Sequence, residues 1–144
     1  MELRSIYRDN RIVHIELSKL SPMDLHRDQR YLTKVVPTMQ TQGLLYPLSC
    51  VKFTPAQWDR QMRNHNEAHR LYQRQGIVND DGFVWAVKMG CNRFESAEYL
   101  GYTSIDVIFF QHTDPAVQWA RWFEQCDPVN NPNCEEFSAK WDYR

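Results

Sequence analysis

At 144 residues, with 42% hydrophobic and 13% aromatic side chains, the chain is sized for one domain around one packed core. A net charge of −1 excludes the global basic field that gathers nucleic acid. No apolar run reaches the roughly 18 residues of a membrane span, and the leading MELRSIYRDNR lacks the apolar stretch of a secretory signal, so no membrane partner is expected and the expected location is the cytoplasm.

In chain order, RIVHIEL (11–17) alternates and predicts a strand. SKLSPMDLHRDQR reads as a polar loop around Pro22. YLTKVVPTMQTQG (31–43) spaces Leu32, Val35, Val36 and Met39 as a helix stopped by Gly43. Pro37 predicts a kink or a fresh helix start, because proline lacks the amide donor and constrains Val36. LYPLSCVKF (45–53) predicts a second strand. Thr54 and Pro55 then form an N-cap and first position for a helix running to about Gln75. FVWAVKM (83–89) predicts a strand with Phe83, Trp85, Val87 and Met89 on one face. A helix over 93–100 and a strand, IDVIFF (105–110), follow. Asp114 and Pro115 open a further helix, and the chain closes with a loop and a short helix in which Asn133 and Glu136 are spaced as a capping box. The order predicts an α+β fold with a small mixed sheet.

The turn at GCNR (90–93) carries the most chemistry. Asn92 and Glu95 have capping-box spacing, which puts Cys91 before the helix and Arg93 at its first position. Unpaired amides and the positive helix end then face whatever docks there. Gly90 lets a ligand approach, and Arg93 adds a guanidinium fork. Three outcomes stay open: an ordinary helix cap, a phosphate site, or a reactive Cys91 whose thiolate the helix end and Arg93 favour. The cysteines Cys50, Cys91, Cys126 and Cys134 form no C-x-x-C pair and are expected to be free thiols, with Cys50 a small core residue.

The wider pattern resembles the ParB/sulfiredoxin fold family. Leu20 and Pro22 with Arg27 or Arg30, then Gly43, Pro47 and Val51, then Gly90, Arg93, Ala97, Leu100 and Gly101, then Ile105 and Val107 follow its order across residues 12–110, apart from 54–81. The resemblance implies a ParB/sulfiredoxin-like small mixed sheet with packed helices, one inserted helix (55–75) and a helical extension (113–144), all in a single domain over 1–144. It implies that the G-x-x-R turn holds nucleotide phosphates. In ParB-type partition proteins the ligand is CTP; in sulfiredoxins ATP drives repair of a sulfinic acid at a catalytic cysteine in G-C-H-R. Here Asn92 stands where that histidine would be, and only 34 residues follow the last core strand, which leaves little room for a DNA-reading domain. Short members of this kind resemble phage-encoded ParB-like proteins, some labelled nucleases.

The expected function is therefore binding of a nucleotide (CTP or ATP, with Mg²⁺) or of nucleic-acid phosphate at Gly90, Cys91, Asn92 and Arg93, in phage or plasmid DNA metabolism. Arg27 or Arg30 closes from the loop, Thr38 and Gln42 contribute from the facing helix, and Lys88 is a weaker candidate. The alternatives are a metal-dependent nuclease, thiol chemistry at Cys91, or a non-catalytic phage accessory or virion protein. His65 and His69 share a helical face but have no third ligand, and are read as a helix surface. Residues 55–75 carry four Arg against Asp59 and Glu67, with Trp58 and Tyr72 nearby, a secondary DNA-contact candidate. The dense carboxy-terminal aromatics, Trp122 and Tyr143 above all, are candidates for a protein-partner surface.

Overall fold

The computed structural model describes residues 1–23, 31–65 and 75–110. Its strands are β1 (Glu2–Leu3), β2 (Val13–Glu16), β3 (Leu20–Pro22), β4 (Leu48–Phe53), β5 (Val84–Met89) and β6 (Ser104–Phe110). Its α-helices are α1 (Val36–Gln42), α2 (Pro55–His65) and α3 (Cys91–Tyr99). All six strands join one mixed sheet, ordered β1-β6-β4-β5-β3 with β2 also on β6. The architecture is α+β, as the alternating and helical stretches predict.

β6 has three partners. It runs parallel to β1 and β4 and antiparallel to β2, with His14 opposite Asp106 and Glu16 opposite Ser104. Because side chains alternate along a strand, the sheet separates two apolar layers. Leu48 and Cys50 of β4, Val87 of β5, and Ile105 and Val107 of β6 join Val35, Met39, Phe94 and Ala97 in the larger one. Val51 and Phe53, with Val84 and Ala86, meet Trp58 and Met62 of α2 on the opposite face. Cys50 is buried in the first layer, as expected of a small core residue.

Local signals explain several boundaries. α2 begins with a true capping box: Thr54 Oγ1 accepts from the Gln57 amide (3.1 Å), and Gln57 Oε1 accepts from the Thr54 amide (2.8 Å). α1 ends at Gly43, whose φ is 75° and whose amide donates to Met39 O at 2.9 Å. Pro37 produces the predicted fresh start. Residues Tyr31–Val35 form a π-helix, and the α-helix begins only at Val36, so proline falls in the first turn, where no amide donor is needed.

Two expectations need correction. Residues 20–22 are not loop; they form β3 and pair in parallel with Trp85, Ala86 and Val87. As β3 closes one end of the strand order, its Pro22 costs the sheet little. Residues 2–3 form a strand that the sequence did not mark. The helix past His65, the His65/His69 pairing, Tyr72 and the 113–144 extension lie outside the described residues.

A polar cluster ties the amino-terminal segment down. Asp9 accepts from the Arg11 amide (2.8 Å), Arg11 Nε (2.9 Å), Arg11 Nη2 (2.6 Å) and the Tyr7 hydroxyl (3.0 Å). The Arg11 hydrogen bonds hold the Asp9 carboxyl down at about 2, against a smaller opposing effect of burial. A carboxyl whose folded pKa is depressed stabilises the fold above its unfolded value and loses that contribution as pH falls through the folded one. Asp9→Asn is therefore expected to cost about 1 kcal/mol at neutral pH, discounted for the exposed Arg11 partner. Urea titrations should show the gap between the two proteins closing between about pH 4 and pH 2.

Candidate functional site at the strand–helix turn

The turn between β5 and α3 is built around a buried cation. Gly90 is the N-cap of α3 and lies in the left-handed region at φ 105°. Beneath it runs the Arg93 side chain, only 2% exposed. Arg93 Nη1 donates to Tyr46 O at 2.7 Å and to Pro47 O at 3.4 Å, in the connection between α1 and β4. A Cβ on Gly90 would sit 2.7 Å from Arg93 Nη2 and 2.7 Å from Leu48 Cδ2. Both the backbone angle and the space therefore require glycine.

This arrangement differs from the sequence expectation in two ways. The helix starts two residues earlier than the Asn92/Glu95 spacing implies. Gly90, not Asn92, is the N-cap, and its carbonyl accepts from the Phe94 amide at 2.8 Å. Asn92 is thus already inside the first turn, where its side chain cannot reach the N3 amide as a cap would. Arg93 is turned inward to backbone carbonyls, and so acts as the strut of the turn; it is not a fork presented at the surface.

Gly90, Cys91, Asn92 and Arg93 share this one turn. Cys91 is buried, and its thiol donates to Val87 O at 3.3 Å. A carbonyl oxygen only accepts, so this contact is one made by the thiol form of Cys91. Neighbouring Cys50 is pushed well up by burial, with Cys91 adding to the shift and Arg93 opposing it. Asn92 alone of the four keeps partial exposure, and its Oδ1 is buried with no hydrogen-bond partner among the described residues. Thr38 lies partly exposed on α1, which packs against α3. Lys88 is half-buried on β5 and Gln42 is exposed at the end of α1. Arg27 and Arg30 lie outside the described residues.

A second polar constellation escaped the sequence reading. On β6, Asp106 is fully buried, and its Oδ2 accepts from the Ser5 amide (2.8 Å), the Ser5 hydroxyl (3.3 Å) and Arg8 Nη1 (2.5 Å). Its Oδ1 lies 2.7 Å from His14 Nδ1, and His14 Nε2 lies 2.6 Å from Ser104 Oγ. Burial works to raise the Asp106 carboxyl, but the Ser5 amide, His14 and Arg8 together outweigh it and hold it below the usual carboxylate range. The available signal was the polar pair at i, i+2 in the apolar run SIDVIFF, with a histidine in the alternating stretch VHIE.

Among the described residues no group of three His, Cys, Asp or Glu side chains is placed to hold a metal ion, and no helix is long and apolar enough to cross a membrane.

No family model and no curated protein matches the chain. Among solved structures it is similar to sulfiredoxin from Arabidopsis thaliana, at 17% identity over 76% of this chain and 96% of that one, with a TM-score of 0.44. It is also similar to a conserved hypothetical protein from Pyrococcus furiosus, at 14% identity and a TM-score of 0.48, over 80% of this chain and 37% of that one. These likenesses concern fold, and the chemistry of the turn rests on its own geometry.

Replacing Gly90 with alanine is expected to destabilise the protein by roughly 2–5 kcal/mol, combining the strained backbone with overpacking against Leu48 and Arg93. Chemical denaturation of Gly90→Ala checks this, and a loss below about 1 kcal/mol would contradict the packing described.

Proposed function

We propose that this chain binds a nucleotide, or nucleic-acid phosphate, at the first turn of α3, through the backbone amides of residues 91–93 and the side chain of Asn92. The observation supporting this reading is the buried guanidinium set directly behind a helix N-terminus. A helix end carries about half a positive charge. The Arg93 guanidinium packed under the N-cap adds a full positive charge to that partial one. Arg93 acts at a distance here, by field and by fixing the turn, while the amides make contact.

Asn92 refines the ligand class. An isolated buried carbonyl oxygen calls for a donor, such as an amino group or hydroxyl. Turned by 180°, the same amide presents Nδ2 to an anion. A nucleotide carries both kinds of partner, and CTP and ATP are the proposed ligands. Mg²⁺ would arrive with the phosphates, which suits its preference for phosphate oxygens and water.

Calorimetric titration with CTP, ATP, inorganic phosphate and a short DNA duplex tests the proposal. Arg93→Ala is uninformative, because it removes a strut and threatens the fold. Asn92→Asp is the better variant: a carboxylate in the first helical turn favours helix stability but repels an anion. Binding of at least one phosphate ligand is expected, weakened about tenfold or more in Asn92→Asp, with the folded circular-dichroism spectrum retained. No binding to any of them, or undiminished binding in the variant, would contradict the reading.

A further inference from the structure

From the Asp106–His14–Ser104 relay we infer a second site, a serine-nucleophile ester hydrolase centre facing a cavity remote in chemistry from the α3 turn. Register brings the three groups together. His14 lies directly opposite Asp106 across the β2–β6 ladder, and Ser104 stands two residues before Asp106 on β6. Residues opposite one another, and residues two apart, share a face of the sheet. The three side chains therefore project on one side, away from the layer that holds Ile105 and Val107.

For a neutral His14 the hydrogen-bond roles follow from chemistry. An ionised Asp106 only accepts, so His14 Nδ1 must carry the proton it donates at 2.7 Å. In neutral imidazole Nε2 is then an acceptor, and Ser104 Oγ donates to it across 2.6 Å. A hydroxyl aimed at a basic nitrogen whose tautomer is fixed by a buried carboxylate is the arrangement that activates serine as a nucleophile. Asp106 is itself held by the Ser5 amide and hydroxyl and by Arg8, so the relay is rigid at its base.

Ser104 is only 8% exposed, and the His14 ring beside it is half-buried. Ser104 and His14 line a cavity of about 730 Å³. Its wall also carries Glu16 and Glu98, with Glu2 paired to Arg4 at 3.2 Å, and these carboxylates favour a substrate with a cationic group. Ser18 and Tyr102 are on the same wall, and an oxyanion would need donors of their kind.

The step balances as an acyl transfer. Ser104 Oγ bonds to the ester carbonyl carbon as its proton passes to His14 Nε2. The bond from that carbon to the alkoxy oxygen breaks, and the departing alcohol takes the proton from His14. Water then adds to the acyl-serine with His14 again accepting a proton, and the acid leaves as Ser104 recovers its hydrogen. Asp106 is a positioning residue that fixes the tautomer.

The 144-residue chain is treated with a fluorophosphonate probe, and the adduct is mapped by mass spectrometry. Hydrolysis of neutral p-nitrophenyl acetate and cationic acetylthiocholine is measured alongside. One adduct per chain at Ser104 is expected, absent in Ser104→Ala and formed at least tenfold more slowly in His14→Gln, with the cationic ester turned over at the higher kcat/KM. Ring ¹⁵N shifts should report His14 protonated on Nδ1 in the parent protein and on Nε2 in Asp106→Asn, a reversal that loss of packing would not produce. If Ser104 in the parent protein stays unlabelled, or labels no faster than in His14→Gln, the site is overturned. This outcome is independent of the phosphate titrations, which address the α3 turn.

Discussion

A guanidinium that is 98% out of solvent governs the region between β5 and β4. Burying such a charge costs several kcal/mol unless it is closely satisfied. Here the carbonyls of Tyr46 and Pro47 accept from it, and the connection leading into β4 is fixed as a result. The same side chain dictates its neighbours. It leaves no room for a Cβ at residue 90, so the chain turns there through a left-handed glycine, and α3 starts one residue later. The position of the helix N-terminus, and with it the field that would attract an anion, follows from where one arginine can find oxygen.

Asp106 is the counterpart on β6. It too is fully buried, and it too is satisfied partly by backbone, through the Ser5 amide. Its remaining oxygen valences go to His14, Arg8 and the Ser5 hydroxyl. The two buried charges have opposite signs and shape different surroundings. Arg93 sits among apolar residues of the larger layer and leaves a positive helix end. Asp106 lies on the opposite face and connects through His14 and Ser104 to a cavity edged by glutamates. One small sheet thus carries a buried cation behind a helix end and a buried anion beneath a glutamate-edged cavity.

The sequence revealed the elements whose signals are local. Alternation exposed β4, β5 and β6, the Thr54–Pro55 pair announced α2, and Gly43 marked the end of α1. Pro37 announced a restart, although a π-helix before it was not foreseen. β1 and β3 escaped because two or three residues show no period; pairing with β6 and β5 alone makes them strands. The Asn92–Glu95 spacing misled because capping-box residues also occur inside a helix, and the preference of Gly90 for a left-handed angle settled the boundary. Arg93 was expected to present its fork to a ligand, but its side chain runs inward, a course that depends on carbonyls 46 and 47 residues away. Likewise, His14 and Asp106 are separated by 92 residues, and only the strand register joins them.

The central claim is that the amides opening α3, backed by Arg93, form the anion-binding surface. Backbone amide NMR during addition of CTP or ATP tests it residue by residue. The largest shifts are predicted at Cys91, Asn92 and Arg93, saturating with ligand. If those three amides stay unmoved while ligand binds elsewhere, or while no resonance moves at all, the account of the turn is contradicted.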